Sequence, residues 1–392
     1  MRLDQVCLAI IDCEHKTAPI TPSGGFFAVG TPAMQGNRID YSAAREISVD
    51  TFHEWTRRLR PQSGDLLFAR EAPVGPVVRI PESLNVAPGQ RTVLLRPDPH
   101  LVDSRFLYFL LASPVIQRRV LDLAMGSTVP HLNVADVRAL TLEVPPLAQQ
   151  QAIAEVLGAL DDKIAANTQL VDTLHQLASA LFQGLRAAPT EPRTYGDLAQ
   201  IGGGGTPSTK EPSYWDGEVM WAAPSDITSL QSPYLDETPR RITATGLAAS
   251  SSPLYPAGSI LMTSRATIGA FAVNQVPTAV NQGFIVVQPH DPTHKWWLFH
   301  EMHSRVPEYI NYANGATFLE LPRSAFKKLQ VRVPERAAVE QFDEKVSSLH
   351  ALALSLVRES RTLAELRDTL LPRLMDGTMR VKDAEHSAGD VL

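Results

Sequence analysis

PQSGDLLFAREAPVG, residues 61–75, reappears as PAGSILMTSRATIG at 256–269, with Gly64 falling on Gly258 and Gly75 on Gly269, an offset of 194 both times. The correspondence runs on along the chain. GQRTVLLRP at 89–97 matches NQGFIVVQP at 281–289, GSTVPHL at 126–132 matches GATFLEL at 315–321, and LEVPP at 142–146 matches QVRVPE at 330–335. The last two pairs share an offset of 189, so a few loop deletions account for the drift. Self-similarity in a fixed order means one structural unit used twice.

Each unit has a β-rich block followed by a long helix. Short runs such as RTVLLRP, LTLEVP, GSILMTS, GFIVVQP and LQVRVP are aliphatic or β-branched and bounded by Gly, Pro or Asn, which reads as strand. Between them, SRFLYFLLASPVIQRRVLDLA at 104–124 and KWWLFHEMHSRVPEYINYA at 295–313 read as helical and occupy equivalent places. The fold class is therefore α+β.

After Pro145-Pro146 the apolar positions run Ile153, Leu157, Leu160, Ile164, Val171, Leu174, Ala178, Leu181 and Leu185, in steps of four and three with a gap at Asn167. After Pro334 the run is Phe342, Val346, Leu349, Leu356, Leu363, Leu370 and Leu374, with polar Ser360 and Arg367 interrupting it. Both are heptad seams. A helix from Ala148 to Leu185 extends roughly 57 Å at 1.5 Å per residue, and its stripe must be buried against something. Two units related by a pseudo-two-fold set the helices antiparallel with a block at each end, a dumbbell. Asn167 reads either as a register-fixing polar seam residue or as a partly exposed Asn near a kink.

The boundary between units falls in RAAPTEPRTYGDL, 186–198, where prolines and polar residues end the first helix. The tail VKDAEHSAGDVL shows no apolar pattern and reads as disordered.

A net charge of −6 argues against coating nucleic acid by bulk electrostatics, so any DNA binding has to come from local basic faces or a partner. No run of apolar residues is long enough for a bilayer span, which points to a cytoplasmic protein with no membrane partner. Cys7 and Cys13 form neither a disulfide framework nor a zinc spacing.

TYGDLAQIGGGGTPSTKEPSYWDGEVMWAAPSDI at 194–227, taken with the repeated motifs above, resembles the opening of many target-recognition domains in the specificity subunits of type I restriction-modification enzymes. FHEWTRRL at 52–59, GDLLFAREAPVG, GQR and GSTVPHLN are similar to a second class of recognition domain. PPLAQQQAIAEVLGALDDKI at 145–164 resembles the family's conserved helix start, with Gln149 where Glu is usual, and LRDTLLPRLMDGTMRV at 366–381 its ending. The resemblance covers nearly the whole chain. It implies target-recognition domain 1 at 1–145, a conserved spacer helix at 146–188, target-recognition domain 2 at 189–334, a second spacer helix at 335–380 and the tail at 381–392. It further implies a non-catalytic subunit that binds double-stranded DNA at an asymmetric bipartite site. Two methylation subunits carrying S-adenosylmethionine, and two restriction or translocase subunits using ATP and Mg, are the implied partners. No cofactor or metal is expected on this chain.

The residues themselves agree with a binding role. GGGGTPSTK at 202–210 lacks the GK[ST] ending of a phosphate loop, and no NPPF-like methyltransferase motif or GxSxG elbow is present. Glu14-His15-Lys16 and Asp343-Glu344-Lys345 fit a bare (D/E)xK nuclease pattern that arises often by chance. His300 and His303 are one turn apart without HExxH. For DNA contact, Arg or Lys suits guanine edges and phosphates, and Asn or Gln suits adenine. The candidates are Arg57, Arg58, Arg70 and Arg91 in the first block, and Lys210, Arg240, Arg265, Asn281 and Gln282 in the second. Trp215 and Tyr214 read as packing residues first. Two other readings remain: a coiled-coil adaptor that does not read DNA, and a self-sufficient methyltransferase or nuclease.

Overall fold

The computed structural model describes residues 1–83, 85–124, 130–185, 188–314, 319–389 and 391. The matched stretches GSTVPHL and GATFLEL lie largely outside them. The chain divides into two compact units: unit 1 is residues 1–166 with 360–392, and unit 2 is residues 167–359. The division runs through both long helices, so each unit owns one globular block and one half of each helix.

Unit 1 is built on a four-stranded antiparallel sheet of β1 (Cys7–Asp12), β7 (Thr92–Pro97), β4 (Leu66–Arg70) and β5 (Val74–Arg79), in that order. A second sheet pairs β2 (Phe26–Val29) with β3 (Arg45–Ile47) and, in parallel, with β6 (Val86–Pro88). In unit 2 the corresponding large sheet runs β11 (Tyr234–Leu235), β14 (Phe271–Asn274), β13 (Ile260–Thr263), β16 (Phe284–Pro289), β9 (Ala199–Gly202). The small sheet is β12 (Arg241–Ile242), β10 (Trp215–Ala222) and β15 (Thr278–Val280). The internal repeat is thus a repeat of topology.

Alternation explains why the central strands read as unbroken apolar runs. In β4, Leu66 and Phe68 enter the core shared with the helices, while Leu67 and Ala69 enter a second core under the small sheet. In β13, Ile260 and Met262 face one core and Leu261 the other. Side chains of period two between two apolar layers require hydrophobic residues at every position. The repeated glycines have a backbone cause: φ is +86° and +113° at Gly64 and Gly75, and +87° at both Gly258 and Gly269. That region is open to glycine at little cost.

LTLEVP is a correction. Around residues 140–145 only an isolated Arg2↔Thr141 bridge forms, whereas QVRVP makes β17 (Gln330–Pro334), paired over five positions with β8 (Thr190–Thr194). In unit 2 five residues precede the turn at Tyr195. In unit 1 the backbone facing LTLEVP turns into a 3-10 helix at Leu3–Gln5, which takes those residues out of extended pairing. The helical patches each split in two: Ser104–Ala112 and Pro114–Leu123, then Lys295–Ser304 and Val306–Asn311. Ser113 caps the second helix of the first pair, with Pro114 at its first position.

The first long helix is Leu147–Gly184 and the second Arg336–Met375. In unit 1, Ile153, Leu157, Leu160 and Ile164 pack in one core with Leu363, Leu370 and Leu374. In unit 2, Val171, Leu174 and Ala178 share a core with Phe342, Val346 and Leu356. Leu181, Leu185 and Leu349 are only partly buried; Phe182, Val339 and Ala353 fill the interior there. Within unit 2 the helix halves run antiparallel, since Phe182 lies 6.3 Å from Phe342, His175 5.7 Å from His350 and Asn167 Nδ2 3.0 Å from Glu359, and within unit 1 Asp161 meets Arg367 (2.6 Å). Asn167 is a buried seam residue, its Nδ2 donating to the Glu359 carboxylate. Gln150 locks the helix start to its block: its Oε1 accepts from Asp103 N, and its Nε2 donates to Leu101 O and Pro145 O.

The tail is a second correction. Val381–Gly389 is a helix whose Ala384 and Ala388 are buried in the unit 1 core. Val381, Ala384, Ala388 and Val391 recur at steps of three and four, a stripe of residues too small to register as an apolar pattern.

A hydrogen-bonded histidine chain crosses the unit 2 core. His175 Nε2 meets Tyr234 Oη (3.1 Å), which meets His350 Nδ1 (2.8 Å), and His350 Nε2 meets His300 Nε2 (3.2 Å). Trp296 stacks on His350 at 3.5 Å. Burial, then the neighbouring His300, His175 and Lys295, push His350 down to about 2. Burial, then His303 and His175, push His300 down to about 4.

Two outcomes are expected. Leu160, fully buried, truncated to Ala costs about 2–5 kcal/mol, whereas Leu177→Ala, at an exposed site on the same helix, changes stability by less than about 0.5 kcal/mol. Urea unfolding of the two variants measures both. The histidines hold folded values below the unfolded value of about 6.5. Unit 2 is therefore at full stability above pH 6.5 and loses it as pH falls from 6.5 toward 4, because only the unfolded chain takes up these protons. Four of the five tryptophans (Trp215, Trp221, Trp296 and Trp297) lie in unit 2, so fluorescence-detected unfolding reports on it. His300→Gln, which keeps a hydrogen-bonding group but does not titrate, should flatten the decline; an unchanged pH dependence counts against this account.

Candidate nucleic-acid interface

In unit 1 the turn after β6 returns the chain to the end of β2, with Gly89 N donating to Val29 O at 2.8 Å. This places Gln90 and Arg91 beside Arg45 of β3, on a cleft of about 150 Å³ whose lining includes Thr17, Gly30 and Thr31 and no carboxylate. The cleft is narrow because glycine backbones cross there: a Cβ on Gly89 would sit 2.3 Å from Gly30 N. Arg91 has φ +68° and its Nε is 3.2 Å from Glu71 Oε1.

The other unit 1 candidates do not converge on this cleft through their side-chain partners. Arg57 and Arg58 share Glu14, at 3.1 and 3.5 Å, and Arg58 also donates to Asp12 O. Arg70 is 12% exposed, with Nε 3.2 Å from Asp12 Oδ1. Glu14 of the EHK triplet is therefore occupied by arginines. Asp343 of the second triplet accepts from Ser347 Oγ on its own helix (3.0 Å).

Unit 2 repeats the arrangement with other side chains. Asn281 N donates to Ala222 O (3.0 Å), and Asn281 Oδ1 accepts from Gly283 N (2.7 Å), so Asn281 shapes the turn. Gln282 is exposed, its Oε1 accepting from Thr206 Oγ at 2.7 Å. Arg240 is exposed and lies over the Trp215 ring at 3.7 Å and the Trp221 ring at 5.3 Å. The same two indoles tie down the glycine-rich loop: Trp215 Nε1 donates to Ser208 O and Trp221 Nε1 to Gly205 O, each at 3.1 Å. A Cβ on Gly204 would lie 1.8 Å from Val280 O, so the glycine run is a close-packed edge of the small sheet. Lys210 is exposed in that loop. Arg265 stands apart, paired with Glu320 at 2.8 Å.

Arg45, Gln90 and Arg91 thus line one cleft in unit 1, whereas in unit 2 Thr206 meets Gln282 and Arg240 lies on the indoles that hold the same glycine-rich loop. Arg45 and Gln90 were not among the residues singled out by sequence. A signal existed in REIS at 45–48 and RRIT at 240–243, a further short match at an offset of 195. Among the described residues no group of three or more His, Cys, Asp or Glu could hold a metal ion. No described helix is long and apolar enough to cross a membrane.

Comparison with known proteins agrees with this duplication. The type I restriction modification DNA specificity domain matches twice, at residues 17–176 and 189–351. The chain is 24% identical to the type I restriction enzyme HindI specificity subunit of Haemophilus influenzae, covering 81% of this chain and 86% of that one. Over 35% of its length, and 32% of the relative's, it is 34% identical to the MjaIX specificity subunit of Methanocaldococcus jannaschii. Its fold resembles the crystal structure of a type I restriction-modification S subunit from M. genitalium, with a TM-score of 0.60, 17% identity, and 96% and 95% of the two chains covered. With two copies of the domain spanning most of its length on a repeated fold, the chain belongs to the family of type I restriction-modification specificity subunits.

Proposed function

We propose that this chain selects an asymmetric, bipartite DNA sequence, each unit reading one half-site, and that it contributes no catalytic group. One observation carries the reading: the two units share a topology while the residues at their equivalent crossing turns differ. Unit 1 presents Gln90 and Arg91 where unit 2 presents Gln282 and Gly283. A common frame with different donors at its rim suits one task performed on two base sequences.

The acidic net charge means that DNA is held by these local faces together with partner proteins. Two methylation subunits that carry S-adenosylmethionine dock along the long helices, and two ATP- and Mg-dependent restriction or translocase subunits complete the enzyme in the cytoplasm. The helices set the length of the unread spacer between half-sites. Chemistry on the base belongs to the partners, in keeping with the missing methyltransferase motif and the internally paired Glu14.

Methylome sequencing of a host expressing the chain with its cognate methylation subunit tests the proposal, the expected outcome being one bipartite motif with unlike halves. Arg91→Ala should relax one base position in one half only, by about 1–3 kcal/mol of discrimination, and leave the other half unchanged. Methylation without sequence preference would sink the reading. So would a single contiguous motif.

A further inference from the structure

We propose that Arg45 and Arg240 are a matched pair of phosphate contacts, one per unit, that position each block on the DNA backbone. The proposal rests on the reading of the chain as a DNA specificity subunit and adds two positioning residues to it.

Strand register establishes the match. The Gly89 N to Val29 O bond in unit 1 and the Asn281 N to Ala222 O bond in unit 2 put Val29 and Ala222 in the same place. One residue back, Ala28 pairs with Arg45, and Trp221 N donates to Arg240 O at 3.3 Å. Two residues on, Ile47 and Ile242 are both fully buried. Ser48 and Thr243 then each cap a short helix, accepting from Thr51 N and Gly246 N. Arg45 and Arg240 therefore occupy one position in the two copies, at the rim of the small sheet.

Their surroundings leave the guanidinium forks available. Both residues are exposed, and among the described residues neither pairs with a carboxylate. Arg57, Arg58, Arg70, Arg91 and Arg265 are each held by one. Arg240 is oriented by the faces of Trp215 and Trp221, which consume none of its N–H donors. Arg45 donates one long bond to Ala18 O (3.4 Å) above a cleft with no carboxylate among its described lining residues. A planar fork with free N–H groups fits a phosphate oxyanion.

Repetition decides between backbone and base. A side chain present in both copies cannot distinguish unlike half-sites, whereas the phosphate backbone is the part of the duplex that is the same at both. The neighbouring Arg91, replaced by Gly283 in unit 2, is free to differ, and it reaches a base edge by giving up its 3.2 Å pair with Glu71.

Binding of the full chain, alone and with its cognate methylation subunit, is to be measured by fluorescence anisotropy between 50 and 200 mM salt, on a duplex carrying the methylated motif and on one without it. Arg45→Ala and Arg240→Ala should each weaken binding to both duplexes by the same factor, about tenfold, and reduce the slope of log affinity against log salt by about 0.9. The double variant should lose about twice the slope, and Arg45→Lys and Arg240→Lys should restore it, because a point charge still neutralises a phosphate. Thermal melts equal to wild type exclude misfolding at these exposed positions. An unchanged salt slope overturns the proposal, as does a loss confined to one base pair or one not rescued by lysine. The site-free duplex keeps the two readings apart: a wild-type chain with no sequence preference fails the specificity reading, while the slopes still judge the arginine pair. Failure of the wild-type protein to bind either duplex overturns both.

Discussion

Each long helix carries a single apolar stripe, and the need to bury it organises both units. The stripe is too long for one globular block to cover. Each unit solves half the problem: one half of one helix lies against the opposite half of the other, and both lie against the block beside them. Polar residues set in the seam make this pairing directional. Asn167 with Glu359 and Asp161 with Arg367 satisfy one another only in an antiparallel register. Slipping either helix by a turn would take the Glu359 carboxylate away from the buried Asn167 amide, which costs more than the contact contributes. Gln150, hydrogen-bonded to three backbone groups, then fixes where the first helix leaves its block.

Arginine pairing inside each block sorts positive charge by use. Much of it is neutralised internally: Arg70 on Asp12, Arg96 on Asp65, Arg57 and Arg58 on Glu14, Arg265 on Glu320. A fork already spanning a carboxylate has to give that bond up before it can take a phosphate or a guanine edge. Residues such as Arg240, oriented by aromatic faces, keep their donors. A chain of net charge −6 can therefore still present short basic rims, and these rims lie where the small sheet of each unit meets its crossing turn.

The repeat, the α+β class and the two heptad helices were legible before any coordinates because they rest on local rules. Glycines held at positive φ recur as glycines, a strand between two cores recurs as an unbroken aliphatic run, and a helix seam recurs at three and four. LTLEVP misled because its composition is strand-like while the segment it meets turns into a 3-10 helix at Leu3–Gln5. The tail misled because a stripe of alanine and valine is weakly apolar by composition, though it fits a close helix contact. Arg45 escaped notice because REIS and RRIT share only two residues and the loops between the repeats shift the offset there.

The sequence by itself determined the family, the duplication and the element order, since periodicity, glycine placement and motif order are properties of neighbours along the chain. Tertiary structure alone decided which arginines are free, which histidines form the relay from His175 to His300, and which rim residues are equivalent in the two units. Those facts depend on pairs such as Arg91 with Glu71, or Trp221 with Arg240, brought together by sheet pairing and turns. Whether a charged side chain is available to DNA is a property of its neighbours in space, and a linear string does not list them.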